Sequence, residues 1–194
     1  MSSFQVRTDL ALEARESISQ TKSELHGVHV EEYEKEAEEI HVTRVIIETK
    51  NAAKAMGKPI GTHITIEAPQ MLEPDEDYHR EISECLSEEL LNMLPEHKEG
   101  LSVLIVGLGN REVTADALGP RVLDNLMITR HIMRTYGKAA YGNECVNEIS
   151  SIEPGVMAKT GMETAEIVKG VVEETKPDVV VVVDGLAVQD VVAM

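Results

Sequence analysis

Five consecutive valines, residues 179–183, closed by Asp184, constrain the fold of this chain more than any other feature. A half-exposed strand alternates apolar and polar residues, whereas an unbroken apolar run of strand length predicts a strand buried on both faces. Residues 101–106, Leu-Ser-Val-Leu-Ile-Val, form a second run of nearly that kind and lead into Gly107-Leu108-Gly109-Asn110. The intervening sequence has helical spacing. A helix is predicted from about Pro120, a favoured first-turn residue, to residue 136, with Leu118, Val122, Leu126 and Met133 as its apolar stripe. Residues 137–152 read as a linker with a short strand. Thr160-Gly161-Met162-Glu163 has the form of a capping box opening a helix to Lys176, and Pro177 ends it. Strand, helix, helix and strand in this order predict a parallel sheet covered on both faces.

The N-terminal half is built differently. Residues 28–33 and 40–49 read as strands joined by an acidic link, 34–39. A short helix, 52–56, ends at Gly57, and residues 63–67 alternate as a third strand. Pro74-Asp75 opens a helix in which Tyr78, Ile82, Leu86, Leu90 and Leu94 recur at spacing four, with Cys85 and Met93 beside them and Pro95 as the stop. Residues 1–27 are polar and weakly patterned.

The balance of charge narrows the function. With 35 acidic and 18 basic residues the chain carries −17. Such a surface repels phosphate backbones, so no direct nucleic-acid partner is expected. No apolar run reaches membrane length, and the polar N-terminus has no signal-like apolar stretch, so the expectation is a cytoplasmic protein without a membrane partner. Cys85 and Cys145 are read as free thiols in a reducing compartment. Hydrophobic residues are 42% and aromatics 3%, which predicts a globular chain with an aliphatic core.

Two carboxylates stand where chemistry is expected. In open parallel sheets ligands bind beyond the carboxyl ends of the strands. Asp116 follows the first apolar run, and Asp184 ends the second. Taken singly, a helix cap and a strand end account for each. If the strands are neighbours the two converge. A helix N-terminus beside Asp116 would favour its charged form, and the valines before Asp184 its neutral form. One then activates water and the other polarises a carbonyl. The Gly107-Leu108-Gly109-Asn110 turn resembles a dinucleotide loop only in part, because the third glycine position is Glu112, which opposes a pyrophosphate. There is no Walker lysine, no His-Glu-x-x-His and no Gly-x-Ser-x-Gly. His26 and His29 lack a third ligand nearby, and Arg130-His131 reads as ordinary surface or inter-helix contact. No cofactor and no metal site are expected.

Several segments together resemble the germination protease family of endospore-forming bacteria. They are Gly107-Leu108-Gly109-Asn110, residues 113–120, residues 124–131, Glu153-Pro154-Gly155-Val156-Met157, residues 160–164 and Asp184-Gly185-Leu186-Ala187, in this order. The likeness starts at Val6 and covers nearly the whole chain. It implies a three-layer α/β/α fold with a mostly parallel central sheet, similar to hydrogenase-maturation peptidases, here with an N-terminal β-rich extension. It implies an endopeptidase of the spore core that starts degradation of small acid-soluble spore proteins at germination. A homotetramer made as an inactive zymogen is also implied. The proposed catalytic aspartates of the family fall on Asp116 and Asp184, with Gly107, Gly109 and Asn110 as the supporting loop. Thr8-Asp9-Leu10-Ala11-Leu12-Glu13 resembles the family's cleavage pattern, so self-processing is expected between Asp9 and Leu10. Residues 1–9 are then a propeptide and 10–194 a single α/β peptidase domain. That domain is expected to be truncated at its C-terminus and inactive as it stands, because family members continue past the second aspartate. Two further readings use the same edge: a nonenzymatic ligand-binding domain, and a peptidase holding a metal on Asp116 and Asp184.

Overall fold

The computed structural model describes residues 26–35, 39–95, 100–142 and 146–185. The chain divides between Leu94 and Pro95 into two compact units.

In the first unit, β1 (Val28–Lys35), β2 (Ile40–Ile47) and β3 (Gly61–Glu67) form an antiparallel sheet in that order. The register pairs Tyr33 with Val42 and Val42 with Ile66. β2 is central, and strand alternation sends its side chains to opposite faces, where they join two separate clusters. Ile40 and Val42 pack with Tyr78 and Cys85, while Val45 and Ile47 pack with Ala52 and Met56. The second pair lies on α1 (Lys50–Met56), which starts where the Thr49 hydroxyl accepts from Ala52 N (3.2 Å) and stops at Gly57 in the left-handed region.

Tyr78 and Cys85 belong to α2 (Glu76–Met93), capped by Asp75, whose carboxylate accepts from the Asp77 and Tyr78 amides. The spacing-four stripe expected for this helix holds only at its start. Tyr78 is buried and Ile82 half-buried, but Leu86 and Leu90 are exposed and Glu89 is buried in their place. The reason is helical phase. Each four-residue step overshoots a turn by about 40°, so by Leu90 the stripe has swung about 120° off the sheet, whereas Cys85 and Glu89 stay within about 20° of Tyr78.

In the second unit, β4 (Ser102–Gly107) lies between β5 (Glu148–Ile152) and β6 (Val179–Val183), all parallel. The expected parallel sheet is present. β4 has Val103, Leu104 and Val106 buried, as its apolar run implies. β6 does not follow its own run: Val180 and Val182 are 40% and 54% exposed. It pairs on one side only among the described residues, and valine suits a strand whether one face is covered or two.

The helix expected over 120–136 is two helices, α3 (Leu118–Leu123) and α4 (Arg130–Tyr136). The break comes from Thr129, which is buried at the outer edge of β5. Its amide donates to Ile149 O (3.1 Å), and its hydroxyl accepts from Ile149 N (2.9 Å) and donates to Asn147 O. Backbone bonded to a strand edge cannot also continue a helix. The capping box is displaced as well. Thr160 closes the short α5 (Met157–Thr160), and Glu163 is the N-cap of α6 (Thr164–Thr175), its amide donating to Glu166 Oε2 (3.0 Å). No described helix is long and apolar enough to cross a membrane.

Candidate active site at the sheet edge

The loop leaving β4 is held by close backbone approaches that only glycine permits. A Cβ on Gly107 would lie 2.6 Å from the Gly119 carbonyl oxygen. Gly109 sits at φ +116°, and a Cβ there would meet the Asp116 carbonyl oxygen. That oxygen accepts from Asn110 N at 2.9 Å. Inside the loop Val113 N donates to Asn110 O (3.0 Å), Asp116 N to Val113 O (2.9 Å), and Glu112 N to Asn110 Oδ1 (3.1 Å). Asn110 thus works through main chain and side chain together, a local turn typical of Asn. The loop ends in a 3-10 turn, Thr114–Asp116, just ahead of α3. Asp116 is half-buried there, and the next residue, Ala117, is fully buried.

Asp184 is the first residue past β6. It is exposed, and its Oδ1 accepts from Gly185 N at 2.9 Å. The burial expected from the preceding valines is not found at Asp184. β4 and β6 are neighbours, with Gly107 opposite Val183. The two loops touch: a Cβ on Gly185 would lie 3.3 Å from the Ala115 carbonyl oxygen and 3.3 Å from Leu118 Cβ. The residue after Asp184 therefore packs against the residue before Asp116. Gly109 and Asn110 lie in the same loop as Asp116, and Gly107 is the last residue of β4 before it.

Arg111 is part of this edge and had no assigned role in the sequence. Its guanidinium donates to Asp124 Oδ2 (2.6 Å), Glu153 Oε2 (2.7 Å) and the Pro120 carbonyl oxygen (3.2 Å). Asp124 caps α3, and Glu153 follows β5. Hydrogen bonds to Asp124 and then Glu153 raise the Arg111 pKa further, and the bond from Arg111 holds the Asp124 carboxyl below the usual carboxylate range. Lys159 also reaches back to this loop, 3.0 Å from Glu112 Oε1.

The remaining candidates fall elsewhere. His29 pairs with Glu48 (3.2 Å), and His131 is exposed on α4. Among the described residues no group of three or more His, Cys, Asp or Glu is disposed to hold a metal. Cys85 is buried in the first unit against Tyr33 Oη (3.9 Å). Asp9, Leu10 and Cys145 lie outside the described residues. An open hollow of about 550 Å³ in the first unit is lined by Arg44, Thr62, Ile64, Glu89, Asn92 and Met93. Its charged groups are already joined to each other, Arg44 Nη2 to Glu89 at 2.8 and 3.0 Å. Two carboxylates on touching loops offer more chemistry, because such a pair can divide the acid and base roles between them.

Comparison with known proteins agrees with the resemblance read in the sequence. A family model described as Germination protease matches residues 6–193. A germination protease of Caldanaerobacter subterraneus subsp. tengcongensis is 47% identical over 182 residues, covering 94% of this chain and 54% of the relative. That of Clostridium perfringens is 44% identical over 188 residues, covering 95% and 56%. That of Bacillus cytotoxicus is 37% identical over 196 residues, covering 98% and 52%. The chain spans about half the length of the curated relatives it matches.

Proposed function

The chain belongs to the germination protease family, and from that premise we propose that it carries the catalytic carboxylates, Asp116 and Asp184, of a spore endopeptidase. The observation that carries the reading is the parallel pairing of β4 with β6, with the loops that follow in contact. One carboxylate takes a proton from water as the water oxygen attacks the scissile carbonyl carbon. The other, protonated, hydrogen-bonds the carbonyl oxygen as charge develops there. Collapse of the tetrahedral species breaks the C–N bond, and the leaving amine takes the proton first removed from water.

The substrates in this reading are small acid-soluble spore proteins, cut at germination in the spore core. The enzyme is a homotetramer made as a zymogen that processes itself between Asp9 and Leu10. Its catalytic domain has the three-layer form of the hydrogenase-maturation peptidases. These points rest on family membership.

The test is cleavage of a substrate peptide by the full-length gene product and by its Asp116→Asn and Asp184→Asn variants. Each substitution is expected to lower kcat by on the order of 10³-fold or more. Full turnover in either variant rejects the pair. Ligand binding without cleavage in the unaltered protein would point to a binding domain built on the Gly107–Asn110 turn, and loss of cleavage on chelation to a metal held by the same aspartates. Mass spectrometry of the active protein checks self-processing, since an intact N-terminus is incompatible with it.

A further inference from the structure

We infer that Arg111 is a positioning residue for Asp116, a clamp that fixes the β4 loop against α3 and the exit of β5. The inference rests on the catalytic reading of Asp116. An exposed ion pair by itself does little, because water and salt screen it. Arg111 does something an isolated pair does not: one guanidinium spans three acceptors from two other parts of the unit, Asp124 and Pro120 O on α3 and Glu153 after β5. Its planar fork of donors fixes direction as well as distance.

The clamp acts where it matters for Asp116. Arg111 stands between Asn110, whose amide donates to the Asp116 carbonyl oxygen, and Glu112, whose amide donates to Asn110 Oδ1. The backbone from 110 to 116 is therefore one hydrogen-bonded piece, and the bonds from Arg111 moor it to the sheet edge. On the other side it meets Gly185, the neighbour of Asp184. Without the guanidinium, Asp124 and Glu153 lose their shared cation, and the piece that carries Asp116 is released from both. A displacement of about 1 Å of a catalytic group costs on the order of 10²-fold in rate.

The experiment compares Arg111→Ala, Arg111→Lys and Asp116→Asn in the full-length gene product. Arg111→Ala is expected to lose on the order of 10²-fold in kcat with KM within about twofold, and free guanidinium ion is expected to restore part of it. Arg111→Lys keeps the charge but lacks the fork, and should recover only a minor part. In Arg111→Ala the amides of Asn110, Val113 and Asp116 should exchange hydrogen faster while those of β4 keep the parent rate. Parent kcat, a change in KM alone, or parent exchange at those three amides, together with an inactive Asp116→Asn, overturns the clamp and leaves the proposed function standing. Full turnover in Asp116→Asn overturns both.

Discussion

The amide of Leu108 donates to the carbonyl oxygen of Val183 at 2.8 Å, so the chain leaving β4 is bonded to the last residue of β6. This bond lies one residue before Asp184 and within the loop that carries Asp116. It makes the relation between the two loops a property of the sheet rather than of mobile side chains.

Gly119 protects that bond. A Cβ at this position would meet the Leu108 carbonyl oxygen and lie 2.6 Å from both Leu108 N and Val183 O. All three obstacles are backbone, so no side chain can give way. Gly119→Ala is expected to lower stability by about 3 kcal/mol. Urea unfolding measures it, and a parent midpoint would show that the two strand ends are not so tightly joined.

Gly109→Ala acts on the other side of the loop. The φ of +116° is costly for any residue with a Cβ, and the new methyl would meet the Asp116 carbonyl oxygen. The Asn110–Asp116 hydrogen bond has to open. The expected result is a loss of peptide cleavage on the order of 10²-fold, larger than the loss in folded fraction. Equal losses in both would make Gly109 a purely structural residue.

Thr129→Val tests the break between α3 and α4. The substitution keeps shape but leaves Ile149 N and Asn147 O without their side-chain partner in a buried place. The expected cost is about 2 kcal/mol by thermal or urea unfolding. A neutral result would mean that the bond from Thr129 N to Ile149 O holds the segment unaided.

The parts of this fold that were legible share one property: their signals are local. The apolar runs marked β4 and β6, Asp75 marked the start of α2, and Gly57 the end of α1. What failed depends on distant partners. The phase of α2 is set by the sheet, which buries Glu89 because Tyr33 and Arg44 reach it. The end of α3 is set by Thr129 reaching Asn147 and Ile149 further along the chain. Arg111 meets carboxylates 13 and 42 residues away, and no periodicity records such a meeting. The edge bearing Asp116 and Asp184 was legible because a parallel sheet aligns its carboxyl ends.

Glu89 gives a prediction with a sign in pH. It is only 3% exposed on α2. Burial pushes its carboxyl up, but the hydrogen bonds from Arg44 Nη2 (2.8 and 3.0 Å) and Tyr33 Oη (2.8 Å) outweigh burial and hold it below its ordinary value of 4.5. A carboxyl depressed by folding contributes stability that is fully present above its unfolded pKa and is lost as pH falls through the folded one. Tyr33 moves the other way. Burial first, then its bond to Glu89, raises its hydroxyl above the ordinary 10.0, so its contribution is full below that pH and is lost only in stronger alkali. Neutral pH therefore lies inside both windows. Glu89→Gln keeps the shape but leaves Arg44 with Glu31 as its remaining ion-pair partner. The variant should unfold about 2 kcal/mol more easily than the parent at neutral pH, since the hydrogen bonds from Arg44 and Tyr33 then meet a neutral amide in place of a charged carboxylate. The gap should narrow as pH falls below 4.5, because the unfolded parent then takes up a proton at Glu89 that the folded one binds only at lower pH. Urea unfolding of both proteins across that range decides, and a gap of constant size would mean that the charge of Glu89 does not hold α2 to the sheet.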